Sequence, residues 1–155
     1  MKNLKFFGLI ILALVTILQF SGCGGGAKAK PVSEILKAVF FAQQVKHGGT
    51  LVYTKGGATN TVSGYSKFRI DLTSSNQVSF TDFDGNTFSG SYSLSADSKS
   101  LTFNNLAPIP TGSGGTITFS ILSFQESPAQ VVLSRSGASV KTGNTINEYT
   151  LTTTP

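Results

Sequence analysis

The stretch SKFRIDLTSSNQVSFTDFDGNTFSGSYSL, residues 66–94, decides the fold. Phe68, Ile70 and Leu72 alternate with Lys67, Arg69 and Asp71, which is the period-two pattern of a strand with one face buried and one wet. Ser74-Ser75-Asn76 turns the chain, and residues 77–83 follow with Val78 and Phe80 inward. Asp84-Gly85 then reads as a hairpin signal, because a type I′ turn needs positive φ at both central residues. Residues 87–94 put Phe88, Gly90, Tyr92 and Leu94 on one face and Thr87, Ser89, Ser91 and Ser93 on the other.

Working outward towards the C-terminus, the same grammar continues. Ala96-Asp97-Ser98 turns the chain and Leu101 and Phe103 point inward from residues 100–103. Residues 104–115, with Pro108, Pro110 and three glycines, read as a long irregular connection of the kind that often serves as a binding loop. Residues 116–124 carry Ile117, Phe119 and Ile121, then change phase to Leu122 and Phe124, which predicts a bulge or a strand bending between two faces. Strands at 130–135 and 147–153 flank a polar loop over 136–145. With residues 51–54, ended by Lys55-Gly56-Gly57, the tally is about eight antiparallel strands in meander order. A closed barrel would remove their exposed edges, and a two-sheet sandwich is the alternative.

Working outward towards the N-terminus, the period changes. Val32, Ile35, Leu36, Val39 and Phe40 obey the i, i+3, i+4 rule, so residues 32–46 are predicted to form one helix packed on the sheet. Ser33 is its expected cap, with Glu34 in the first turn, Lys46 and His47 at the far end, and Gly48 in the left-handed position beyond it. Before it, Gly24 to Pro31 is a tether of at most about 28 Å.

The first residues read as an address. Lys2 and Lys5 precede an uncharged run from Phe6 to Phe20, a basic lead and apolar segment of secretory length. The run is shorter than the roughly 20 apolar residues that a spanning helix needs. Phe20-Ser21-Gly22-Cys23 resembles the lipobox of bacterial lipoproteins. The resemblance implies that Cys23 is lipid-modified and becomes the first residue of the mature chain, with residues 1–22 as signal peptide, 23–31 as tether and 32–155 as the β-domain. Two or more acyl chains anchor stably, at about 0.8 kcal/mol per buried CH₂. Gly24, in place of an aspartate, resembles an outer-membrane address. Two other readings stand beside this one: cleavage at Ala27-Lys28-Ala29, or an uncleaved anchor. Cys23 is the only cysteine, which excludes a disulfide within the chain.

The segment Phe83-Asp84-Gly85-Asn86-Thr87-Phe88-Ser89-Gly90-Ser91-Tyr92-Ser93-Leu94, followed by Leu101-Thr102-Phe103 and closed by Tyr149-Thr150-Leu151, is similar to the lipocalin-like lipoproteins of the Bacteroidetes type. The resemblance spans about residues 49–152 and implies a lipocalin-like barrel in the cell envelope. It assigns no ligand residues.

Chemistry is scarce. The net charge of +5 includes Lys2 and Lys5, and the remaining charges are scattered. Nucleic-acid binding wants a concentrated basic face, which this chain lacks. His47 is the only histidine, so neither a His/Cys metal cluster nor a histidine-based triad is expected beyond that residue. Asp82-Phe83-Asp84-Gly85-Asn86 hints at a calcium loop, but its glycine is one place early and Ser93 stands where the closing glutamate belongs. The expectation is a protein without enzymatic activity, metal or cofactor. Two functions remain. Tyr53, Phe68, Phe80, Phe88, Tyr92, Phe103 and Phe119 form the inward set that would line a cavity for a small apolar ligand. Alternatively those rings fill the interior, and the protein is a structural or interaction lipoprotein of an envelope complex.

Overall fold

The computed structural model describes residues 29–155. Cys23, the residues read as a signal peptide and the first residues of the expected tether lie outside the described residues. The chain is nearly all β. Its elements are a one-turn helix α1 (Val32–Ile35), then β1 (Val39–His47), β2 (Thr50–Thr54), β3 (Arg69–Asp71), β4 (Gln77–Thr81), β5 (Thr87–Leu94), β6 (Ser100–Ala107), β7 (Ile117–Gln125), β8 (Gln130–Arg135) and β9 (Asn147–Thr152). Two short 3₁₀ turns, Ser63–Lys67 and Val140–Thr142, sit in the loops.

Strands β3 to β9 pair antiparallel in sequence order, and β9 pairs back onto β1, which pairs with β3. The result is a closed eight-stranded up-and-down barrel, with β2 added as a ninth strand; the two-sheet alternative does not form. One edge of β1 runs along β9 from Phe41 to His47. The other is shared: Val39–Phe41 pair with β3, and Gln44–His47 pair with β2. The 3₁₀ turn between β2 and the short β3 packs Tyr65 against Tyr53 and Phe68. Closure leaves the barrel proper without an open edge.

The helix predicted over residues 32–46 is corrected. Only Val32–Ile35 are helical, Pro31 occupies the cap position, and Ser33 makes no capping bond. Val39–His47 is the strand that closes the barrel. The stripe joins two elements: Val32, Ile35 and Leu36 belong to the one real turn and its cap, and Val39 and Phe40 are the first two residues of the strand. Ala42 pairs with Leu151 and Gln44 with Thr150, so Gln43 is an extra residue. Across this bulge the buried positions of the strand are Phe40, Ala42 and Val45. Gly48 does have positive φ, as does Gly49, but the pair forms the two-residue hairpin between β1 and β2, where His47 faces Thr50.

The bulge predicted in β7 is present, with the register slipping between Ile121 and Ser123. A further bulge lies in β6: Ser89 faces Ala107 while Ser91 faces Asn104. Asn105 there takes φ of 53°. Gly90 sits opposite this bulge, and a Cβ on it would stand 2.4 Å from the Asn104 carbonyl oxygen, so no larger residue fits. The Asp84-Gly85 turn is wider than a two-residue hairpin. Thr81 and Thr87 close it, leaving residues 82–86 as the loop.

Candidate functional site: the lumen and its mouth

Strand direction divides the barrel ends. One end, here the mouth, collects the β1–β2 hairpin, the Tyr65 turn and the loops at residues 82–86, 108–116 and 136–146. The other end collects α1, the turns at residues 72–76, 95–99 and 126–129, and the exit of the tether.

Six of the seven inward aromatics are buried in a single core: Tyr53, Phe68, Phe80, Phe88, Phe103 and Phe119. Tyr92 is half-buried and packs against that core. It lines an open groove with Leu36, Lys37 and Asn76 at the tether end. Five rings close on one another across the lumen. Phe68 meets Phe80 at 5.5 Å between ring centres, Phe80 meets Phe103 at 6.0 Å, and Phe103 meets Phe119 at 5.2 Å. Phe119 meets Tyr149 at 6.0 Å, and Tyr149 stacks back on Phe68 at 4.9 Å. Such pairs each add about 0.5–1.5 kcal/mol beyond their burial. The space left above this layer, partly open at the mouth and lined by Phe68, Phe80, Ile117 and Tyr149 on its inner side, has a volume of about 30 Å³. That is room for water, against the roughly 150 Å³ in which a benzene-sized molecule sits.

Above the rings the interior turns polar. Tyr65 Oη lies 2.7 Å from His47 Nε2. Asn147, almost fully buried, donates from Nδ2 to Tyr149 Oη at 3.2 Å and accepts at Oδ1 from the hydroxyls of Thr142 and Thr145. These bonds tie the 136–146 loop to the aromatic layer. Among the described residues no buried side-chain nitrogen or oxygen lacks a partner. Burial pushes the Tyr65 hydroxyl far above its ordinary range, with Tyr149 as the second cause. Burial likewise raises Tyr149 and lowers His47, so all three groups are neutral near pH 7.

Asp82 and Asp84 hold Lys141 at the rim. Lys141 Nζ donates to Asp82 Oδ2 and to Asp84 Oδ2, each at 2.6 Å. Asp82 Oδ1 accepts from the amides of Asp84 and Asn86. Asp82 is thus engaged on one oxygen by its own turn and on the other by Lys141. Burial opposes the Lys141 charge, but the bonds to both aspartates outweigh it and the ammonium titrates above its ordinary value. Among the described residues no group of three or more His, Cys, Asp or Glu side chains is placed to share a metal ion.

The sequence reading missed Tyr65, Arg135, Lys141 and the roles of Tyr149 and Asn147. Arg135 follows Val131 and Leu133 on the inward face of β8, opposite Phe119, and lines the small cavity at the mouth. No ion pair to Arg135 is formed among the described residues. Strand alternation alone could have found it. Around this centre Ile109, Val140 and Ile146 are exposed on the mouth loops.

Comparisons of the chain with protein-family models, with curated proteins and with solved structures give no match.

Proposed function

We propose that this protein is a lipid-anchored component of the bacterial cell envelope, held at the outer membrane through Cys23, whose barrel is a non-enzymatic interaction module with a filled interior. It resembles the lipocalin-like lipoproteins in sequence signature and architecture, but its working surface is the mouth and not the lumen. The observation that carries the reading is the closed circuit of Phe68, Phe80, Phe103, Phe119 and Tyr149. An apolar ligand would have to part these rings, and each buried ring given up costs several kcal/mol. The mouth offers what a protein interface uses: exposed aliphatic side chains at Ile109, Val140 and Ile146 around the inward Arg135.

The test is native mass spectrometry of the detergent-extracted full chain, before and after soaking with envelope lipids, compared with the denatured mass. The expected result is the same mass in every state, that of the acylated chain. A non-covalent apolar companion lost on denaturation would overturn the filled-interior reading. A denatured mass without acyl chains would overturn the anchor. In-cell crosslinking from position 109 or 140 is expected to trap a protein partner, and crosslinks from the tether end alone would move the interface away from the mouth.

A further inference from the structure

We propose that the tether end of the barrel rests on the membrane leaflet that holds the Cys23 acyl chains, with Leu122 and Phe124 inserted at the headgroup boundary as a second, non-covalent contact. The inference rests on the lipid-anchor reading and adds to it an orientation and two named residues.

Three observations carry it. First, the chain leaves the barrel at this end: Lys30 Nζ pairs with Glu126 Oε1 at 3.3 Å, beside the β7–β8 turn. From Cys23 to Lys30 the chain reaches at most about 25 Å. Second, Leu122 and Phe124 are exposed on the same rim, 54% and 49%. The β7 bulge is the cause. It throws Leu122 out of register, and Phe124, opposite Val131, lies beyond Ser120, the last β7 residue that pairs with β6. Third, the two side chains line one shallow groove with Val32, the second residue after Lys30, and with residues 97–99. The apolar rim and the anchored segment therefore adjoin. Charge favours insertion over electrostatic adsorption, because Lys30 and Lys37 are paired with Glu126 and Glu34, and Lys99 lies two residues from Asp97, so these lysines present no surplus of positive charge. The lysines can extend along the groove with their ammonium groups in the headgroup layer.

The experiment uses the full acylated chain. It has no tryptophan, so Phe124→Trp places a sole indole on the rim, and Ile109→Trp places one on the mouth, where position 109 is 69% exposed. Each variant is reconstituted into vesicles of phosphatidylethanolamine and phosphatidylglycerol, with and without lipids brominated near the headgroup. The expected result is a blue-shifted emission from position 124 that loses most of its intensity with brominated lipid, while position 109 keeps both its wavelength and its intensity. An unquenched indole at 124 in protein that still floats with the vesicles overturns the docking and leaves the anchor standing. An emission shift that follows protein concentration and not bromine assigns the rim to a second copy and also overturns it. Protein that does not float at all overturns the anchor reading, and the docking with it.

Discussion

Lys141 bridges two loops that are distant in sequence, and its removal would strand a carboxylate. Asp82 keeps only 9% of its side chain exposed beside the ammonium, so Lys141→Met is expected to cost about 2 kcal/mol, read as a lower urea midpoint at unchanged slope. Gly90→Ala meets the Asn104 carbonyl head-on, and the clash is expected to cost about 2–3 kcal/mol by the same measurement. His47 gives a pH dependence whose sign follows from burial. Its folded-state pKa lies below 6.5, so the unfolded chain takes up the proton first as pH falls. Stability is full above 6.5 and declines as pH drops through 6.5 towards the folded value. The thermal midpoint is expected to fall between about pH 7 and about pH 5, and His47→Gln should remove the part of that decline due to the imidazole. At this scale the sequence was least informative. Tyr65 sits in a Gly-Tyr-Ser turn with no periodicity around it, and for Arg135 alternation gives the inward direction but not the neighbourhood, which is assembled from other loops.

At the scale of the element, alternation was readable wherever strands were regular. Phe68, Ile70 and Leu72, then Val78 and Phe80, then Leu101 and Phe103, all fall inward as their spacing requires. The phase change after Ile121 announced a bulge correctly. The reading of β1 went astray at a junction, where the apolar residues of a single helical turn, Val32, Ile35 and Leu36, run at helical spacing into Val39 and Phe40 of the strand. The better cue was composition: Val39, Phe40 and Phe41 are β-branched and aromatic. Connections were legible as positions and not as shapes. Gly48 and Gly49, with φ of 54° and 86°, turn β1 into β2, and replacing both by alanine is expected to cost about 2 kcal/mol in total through backbone strain alone. Chemical denaturation would read this loss, and an unchanged midpoint would mean that the hairpin can relax to another turn.

At the scale of the molecule, the barrel was legible and its contents were not: seven inward aromatics are the same list whether they line a hole or plug one. The plug yields a prediction of its own. Phe103 is fully buried and belongs to the aromatic circuit. Phe103→Ala should cost about 3–5 kcal/mol and open a dry space in the lumen. Benzene or xenon is then expected to raise the thermal midpoint of the variant and leave the native protein unaffected. One more property follows from the seam between β1 and β9. The ion pair that crosses it, Lys46 with Glu148, joins residues 102 positions apart, and every hydrogen bond of the seam spans a similar separation. Closure is thus the most non-local step in a molecule whose other pairings are mostly between neighbours, and the last strand made is the one it waits for. Folding should be slow for a chain of this size. Until β9 arrives, the β1 edge from Phe41 to His47 stands open, an available template for a neighbouring chain. The hazard of this protein therefore lies in the interval before its final strand is delivered, and a holding chaperone would be most useful then.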